Sequence, residues 1–191
     1  MPGSVRVLGV DPGLTRCGVG VIDVALRTPS LVHVEVLRSL ADEPIERRLL
    51  RIGRGIEAAI DAHRPDAIAL ERVFAQANLR SVMGVAQISG IVLRAAAERD
   101  IPISLLTPTQ VKAAVTGYGA ADKRQVGEMV RRLLRLDAAP KPADAADALA
   151  IAIAEGWRPQ PVTRGTDAVT PAQRAWAAAE ASARSGRGQR R

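Results

Sequence analysis

The chain has 191 residues, a formal net charge of +7 and one cysteine, Cys17. That length suits one ordinary domain with a real core, and a lone cysteine excludes an intramolecular disulfide and fits a reducing cytoplasm. No apolar run approaches the roughly 18 residues that span a bilayer, and the N-terminus lacks the basic-then-apolar order of a secretory signal.

The charge is unevenly spread. Residues 1–157 carry 20 basic and 18 acidic side chains, whereas 158–191 carry 7 Arg against Asp167 and Glu180, a net +5. A basic tail on a nearly balanced body suggests a polyanionic partner. A general Arg bias is the plainer explanation, since 24 of the 27 basic residues are Arg. Aromatics make up only 2% of the chain, so the core must be built from Ala, Val, Leu and Ile.

In chain order, Val5–Val10 and Cys17–Val24 are apolar runs joined by a Pro/Gly/Thr turn and predict a hairpin; SLVHVEVLRS alternates and predicts a third antiparallel strand. In PIERRLLRIGRGIEAAIDAHRPD the residues Ile45, Leu49, Ile52, Ile56 and Ile60 recur at helical spacing, with Pro65 as the stop. AIALE predicts a short buried strand ending in Glu71, ERVFAQANLRS a polar loop, and SVMGVAQISGIVLRAAAERD a helix closed by Pro102. ISLLTP predicts a further buried strand. PTQVKAAVTGYG predicts a short helix broken at Gly117 and Gly119. DKRQVGEMVRRLLRLD predicts an amphipathic helix whose Asp122 and Gln125 form a capping box. PADAADALAIAIAEGW predicts a core helix with Pro142 near its first turn. Three strands followed by alternating helix and strand indicate an α/β fold with a mixed sheet flanked by helices. Beyond Arg158, TPAQRAWAAAEASARS suits a surface helix, and the closing GRGQRR is expected to be disordered. The division expected is therefore a body at 1–157 and a basic Arg/Ala-rich tail at 158–191.

Four acids stand out against this framework. Asp11 and Glu71 each end an apolar strand, where open α/β sheets build their sites. Asp144 and Asp147 are spaced i,i+3 on the face of a helix otherwise made of Ala, Leu and Ile. An ordinary role is open to three of them: Asp11 as a turn-former before Pro12-Gly13, Glu71 as a partner of Arg72 or Arg80, Asp144 as a helix-start acid favoured by the dipole. Asp147, one turn further in, has the least ordinary explanation. A bound cation would answer both the repulsion and the desolvation of such a set. Hard oxygen donors select Mg²⁺ or Mn²⁺; Zn²⁺ is disfavoured because Cys17 is the only cysteine and His33 and His63 sit away from the acids. Two such ions, roughly 4 Å apart, clamp the attacking and leaving oxygens of a phosphodiester.

LGVDPGLTRCGVGVID, ALERVFAQAN, QVKAAVTGYGAADKRQV and PADAADALAIAI together, and in this order, resemble the RuvC family of bacterial Holliday junction resolvases. The resemblance spans nearly Val5–Trp157 and does not reach the tail. It implies a ribonuclease-H-like fold, a homodimer, Mg²⁺-dependent nicking of four-way DNA junctions, and work alongside the branch-migration complex of RuvA and RuvB. It implies Asp11, Glu71, Asp144 and Asp147 as catalytic, metal-holding acids; some relatives carry His at the position of Asp147. It also implies that Lys112 and Lys123 lie near DNA phosphates and that Phe74 acts on DNA.

Phe74 is the only Phe and sits in a polar loop, where it suits stacking on or wedging between bases; capping the core is its ordinary alternative. Lys112, Lys123 and Lys141 are the only lysines, all within one stretch of an Arg-rich chain. Asn78 and Arg80 are weaker candidates for backbone contacts. The helix SVMGVAQISGIVLRAAAER is apolar on two sides: Val82, Val85, Ile88, Ile91 and Val92 suit the sheet, while Met83, Ala86, Gly90, Leu93 and Ala97 suit a second copy, with Gly84 and Gly90 allowing close approach.

Other functions remain open from the residues alone. An actin-like ATPase shares the Asp-x-Gly and Thr of Asp11, Gly13 and Thr15, but needs a second phosphate loop that the chain lacks. A non-catalytic DNA-structure binder needs no converging acids. An RNA-processing nuclease of the same fold is the nearest enzyme alternative.

Overall fold

The computed structural model describes residues 3–72 and 79–158. Strands β1 (Val5–Asp11), β2 (Arg16–Ala25), β3 (Thr28–Arg38), β4 (Ala67–Glu71) and β5 (Ile103–Leu106) form one sheet in the order β3-β2-β1-β4-β5. β1–β2 and β2–β3 pair antiparallel, and β1–β4 and β4–β5 pair parallel. The helices are α1 (Ile45–His63), α2 (Leu79–Ala97), α3 (Pro108–Thr116), α4 (Lys123–Leu133) and α5 (Ala143–Gly156). The mixed sheet with three antiparallel strands first is the architecture expected.

Period-two alternation divides each strand between two cores. Leu8 and Val10 of β1, Val19 and Val21 of β2, and Ile68 and Leu70 of β4 pack with Ile52, Ile56 and Ile60 of α1 and Ile88 and Val92 of α2. Val7, Ile22, Val24 and Ala69 face the other way, onto Leu149, Ile151 and Ile153 of α5, with Val111 and Val115 of α3 and Val126 and Val130 of α4 beside them. Both cores are aliphatic, as the composition requires.

On the α5 side β1 and β2 place Gly9 and Gly18 where a side chain would otherwise stand. A Cβ at Gly9 would overlap the carbonyl of Ala148, and one at Gly18 the carbonyl of Asp144. The missing side chains let the backbone of α5 rest on the backbone of the sheet.

Local signals act as expected at several ends. Asp122 caps α4 with a complete capping box to Gln125, and α3 ends at Gly117 in the left-handed conformation. Thr107 and Gln110 form a second capping box, at the start of α3.

Three expectations need correction. α2 begins at Leu79, inside the stretch read as polar loop. β5 is an edge strand rather than a buried one, with Leu105 48% exposed. Gly84 is buried against Leu14 of its own chain, so it does not serve a partner, whereas a Cβ at Gly90 meets open space.

Candidate catalytic site

The parity of the strands explains why two carboxylates converge. Val7 and Gly9 face α5, so Asp11, two residues on, faces it as well; Ala69 and Glu71 stand in the same relation on β4. The last parallel pair between the strands is Val10 with Leu70, which puts Asp11 beside Glu71 one step beyond. Across the sheet Asp11 pairs with Gly18, the residue on which the Asp144 carbonyl rests. Asp144 occupies the first turn of α5, and Asp147 follows one turn later.

Asp11, Glu71 and Asp147 line one cavity of about 250 Å³ together with Lys112 of α3 and Lys123 of α4. Asp144 lines the adjoining cavity, with Thr15, Arg16 and Arg48. Asp144 lies near enough to the first cavity for its charge to act on Asp11. Among the described residues no group of three or more His, Cys, Asp or Glu stands close enough to ligate a single ion. Two of the four acids are instead held by cations. Lys123 Nζ donates to Asp147 Oδ2 at 2.9 Å, and Arg16 Nε lies 3.2 Å from Asp144 Oδ2.

The electrostatics are those of crowded anions. Burial, reinforced by the charges of Glu71, Asp147 and Asp144, pushes the Asp11 carboxyl up to about 7. Burial and then Asp147 raise Glu71, against the opposing pull of Lys123, a hydrogen bond with Asp11, and Lys112. The hydrogen bond to Asp147 raises Lys123 above the usual lysine range.

Residues of this kind fit a hard divalent cation. All four acids offer carboxylate oxygen, and Asp144 Oδ2 is buried with no hydrogen-bond partner, because its approach to Arg16 lacks hydrogen-bonding geometry. The imidazoles do not compete for the role. His33 and His63 stack on each other at 4.7 Å, beside Arg6 at the far end of β1 from Asp11.

Phe74 and Asn78 lie outside the described residues; Arg80 falls in the first turn of α2. Lys141 is exposed just before α5 and lines neither cavity. Arg16 and Arg48 were not among the expected site residues. Arg48 gave a usable signal: it stands three residues after Ile45 and four before Ile52, on the apolar flank of α1, where a charge needs a reason.

A family model for the crossover junction endodeoxyribonuclease RuvC matches residues 7–155. The chain belongs to the RuvC family. It is 56% identical to the RuvC of Leifsonia xyli subsp. xyli, over 94% of this chain and 93% of that one. It is 59% identical to the RuvC of Thermobifida fusca, over 81% of this chain and 85% of that one. Among solved structures, Thermus thermophilus RuvC in complex with a Holliday junction substrate superposes with a TM-score of 0.74 at 38% identity, covering 78% of this chain and 92% of that one. The yeast mitochondrial Holliday junction resolvase Ydc2 shares the fold at 16% identity, with a TM-score of 0.56 over 80% of this chain and 79% of that one. The fold is thus that of RuvC and the ribonuclease-H-like resolvases, and the chain is an endodeoxyribonuclease of the RuvC family.

Proposed function

We propose that this RuvC-family chain resolves Holliday junctions in recombination and repair by paired, symmetric nicks that depend on Mg²⁺, with Mn²⁺ as a substitute. The observation that carries this reading is the convergence of Asp11, Glu71 and Asp147 on one cavity edged by Lys112 and Lys123, with Asp144 close enough for its charge to act on Asp11. Asp11, Glu71, Asp144 and Asp147 are the residues that would hold two ions. When bound, such ions activate water and stabilise charge on the departing oxygen.

The chain's own groups do the rest. The sheet fixes Asp11 and Glu71 at strand ends, where backbone pairing holds their position better than a loop would. Lys112 and Lys123 bind and orient the substrate's phosphates. The Lys123 side chain, 75% exposed, has the freedom to leave Asp147 and would then donate to a phosphate oxygen of the substrate. Arg80, Asn78 and Phe74 belong to the DNA-contacting set, with Phe74 stacking on or wedging between bases. Residues 1–157 form the nuclease domain, and the tail at 158–191 adds sequence-independent affinity through its arginines.

The working unit is a homodimer through α2. Ile88 and Val92 bury one side of this helix against the sheet, yet Met83 is 54% and Leu93 39% exposed on the other, where Ala86 and Gly90 are also exposed. A second copy about a two-fold axis covers that stripe and matches the approximate two-fold symmetry of a four-way junction. The protein acts in the cytoplasm alongside the RuvA–RuvB complex. Among the described residues no helix is long and apolar enough to cross a membrane.

The deciding assay compares a four-way junction, a linear duplex and an RNA–DNA hybrid, each with and without Mg²⁺. Paired nicks confined to the junction and to the metal-containing reactions are expected. Preferential cutting of the hybrid would favour an RNA-processing role, and binding without cutting in either Mg²⁺ or Mn²⁺ would refute the nuclease assignment.

A further inference from the structure

The second cavity contains cationic and hydroxyl groups that the proposed nuclease chemistry leaves without a role. It lies between the β1–β2 turn and helices α1 and α2, and its polar lining is Thr15, Arg16, Arg48 and Asp144. Arg48 is anchored by two hydrogen bonds. Its Nε donates to Ser39 Oγ at 3.0 Å and its Nη2 to Thr15 Oγ1 at 2.7 Å. Ser39 in turn donates through its hydroxyl to the Leu14 carbonyl and through its amide to the Thr15 carbonyl. Ser39 is 6% exposed, so the brace is itself well enclosed.

Both of Arg48's hydrogen bonds go to neutral hydroxyls, and among the described residues its charge acts on Glu43 only from a distance, without an ion-pair contact. A half-buried guanidinium with neutral partners attracts an anion. Arg16, on the same wall, reaches Asp144 most closely through Nε, and its side chain is 53% exposed. Its fork of five donors is therefore far from saturated. Gly13 makes this placement possible. A Cβ there would overlap the Arg16 carbonyl, so the turn can close and present Arg16 only with glycine at that position.

The position of the cavity identifies the anion. Asp144 in its lining is close enough for its charge to act on Asp11 in the first cavity, so Arg16 and Arg48 stand beside one acid of the set while Lys112 and Lys123 stand beside the others. A nucleic-acid strand crossing the acids presents one phosphate to each side. We propose that Thr15, Arg16 and Arg48 bind the phosphodiester flanking the scissile one, on the side of the cut away from Lys112 and Lys123. This site deepens the nuclease reading and rests on it.

The test maps the nick on a fixed junction with the wild-type protein, then replaces each flanking phosphate in turn by an uncharged methylphosphonate. Dissociation constants are measured without divalent metal for the wild type, Arg16→Gln and Arg48→Gln. One flanking replacement should cost the wild type about tenfold in affinity, as expected for a lost charged hydrogen bond. Arg16→Gln should lose a similar factor on native DNA and nothing further on the same modified junction. Each variant should also flatten the log–log salt slope by about one unit. Additive losses, or wild-type indifference to every flanking replacement, would overturn the subsite while leaving the nuclease assignment intact if the wild type still nicks. A wild type that binds the junction but never nicks it sinks the parent reading instead. Should Arg48→Gln melt early through loss of the Ser39 brace, Arg16→Gln decides alone, because Arg16 takes no part in that brace.

Discussion

The Lys123 ammonium stands 2.9 Å from the Asp147 carboxylate, joining the first residue of α4 to the second turn of α5 across the mouth of the acidic cavity. A pair so exposed on the lysine side contributes roughly 0–1 kcal/mol to stability. Lys123→Ala should therefore leave the melting temperature nearly unchanged, while weakening junction binding and lowering the salt slope by about one unit. An unchanged slope would mean that Lys123 meets no phosphate.

Asp11→Asn, Glu71→Gln, Asp144→Asn and Asp147→Asn should each abolish nicking yet retain junction binding, read by gel shift beside the cleavage assay. Near-wild-type cleavage by any two of them in Mg²⁺ would show the site to be elsewhere.

The same acids set a pH dependence in the metal-free protein. Asp11 has a folded-state value of about 7 against a reference of 3.8. Between those values the folded protein retains a proton that the unfolded chain has released. Its contribution to stability is thus full below about pH 4 and lost as pH rises through about 7. Denaturant melts in EDTA should show that decline, amounting to a few kcal/mol at most, and Asp11→Asn should flatten it. A stability that rises steadily from pH 4 to 7 in the wild type, with Asp11→Asn following the same curve, would contradict the raised value.

Two glycines on α2 should separate dimer contacts from internal packing. Gly90→Glu places a charge on the exposed stripe and should yield a folded monomer by sedimentation. Gly84→Glu should lower the melting temperature instead, because its Cβ meets Leu14 at 3.2 Å within the subunit. A dimer that survives Gly90→Glu would move the interface off this helix.

Deleting residues 158–191 should lower affinity for nonspecific duplex and leave metal-dependent nicking intact, since all four acids precede the deletion. A folded but inactive truncation would give the tail a part in the reaction.

Much of this was legible in the linear pattern. Apolar runs and alternation located all five strands, and the Ile45–Ile60 spacing located α1. The i,i+3 acids on an otherwise apolar helix marked a candidate site in the linear pattern. The strand end at Glu71 pointed to the same place, because strand parity is a local property that survives folding. What stayed hidden depends on packing. The edge position of β5 follows from sheet order, which no short window contains. Gly84 and Gly90 look alike in sequence, and only the fold buries one against Leu14 and leaves the other exposed. Arg16 was masked by composition: among so many arginines it carries no mark until the chain brings it beside Asp144, whereas Arg48 was readable from its place on the apolar flank of α1.

Gly9 and Gly18 have a bearing on how this centre withstands heat and sequence drift. Where α5 rests on the sheet, main chain meets main chain, so no rotamer enters the gap between the Asp11 strand and the Asp144 helix. The spacing behaves as a gauge cut into the backbone. Side chains all around it can hop or be exchanged for others without resetting it, whereas a single added methyl group, at either glycine, forces the two halves of the site apart.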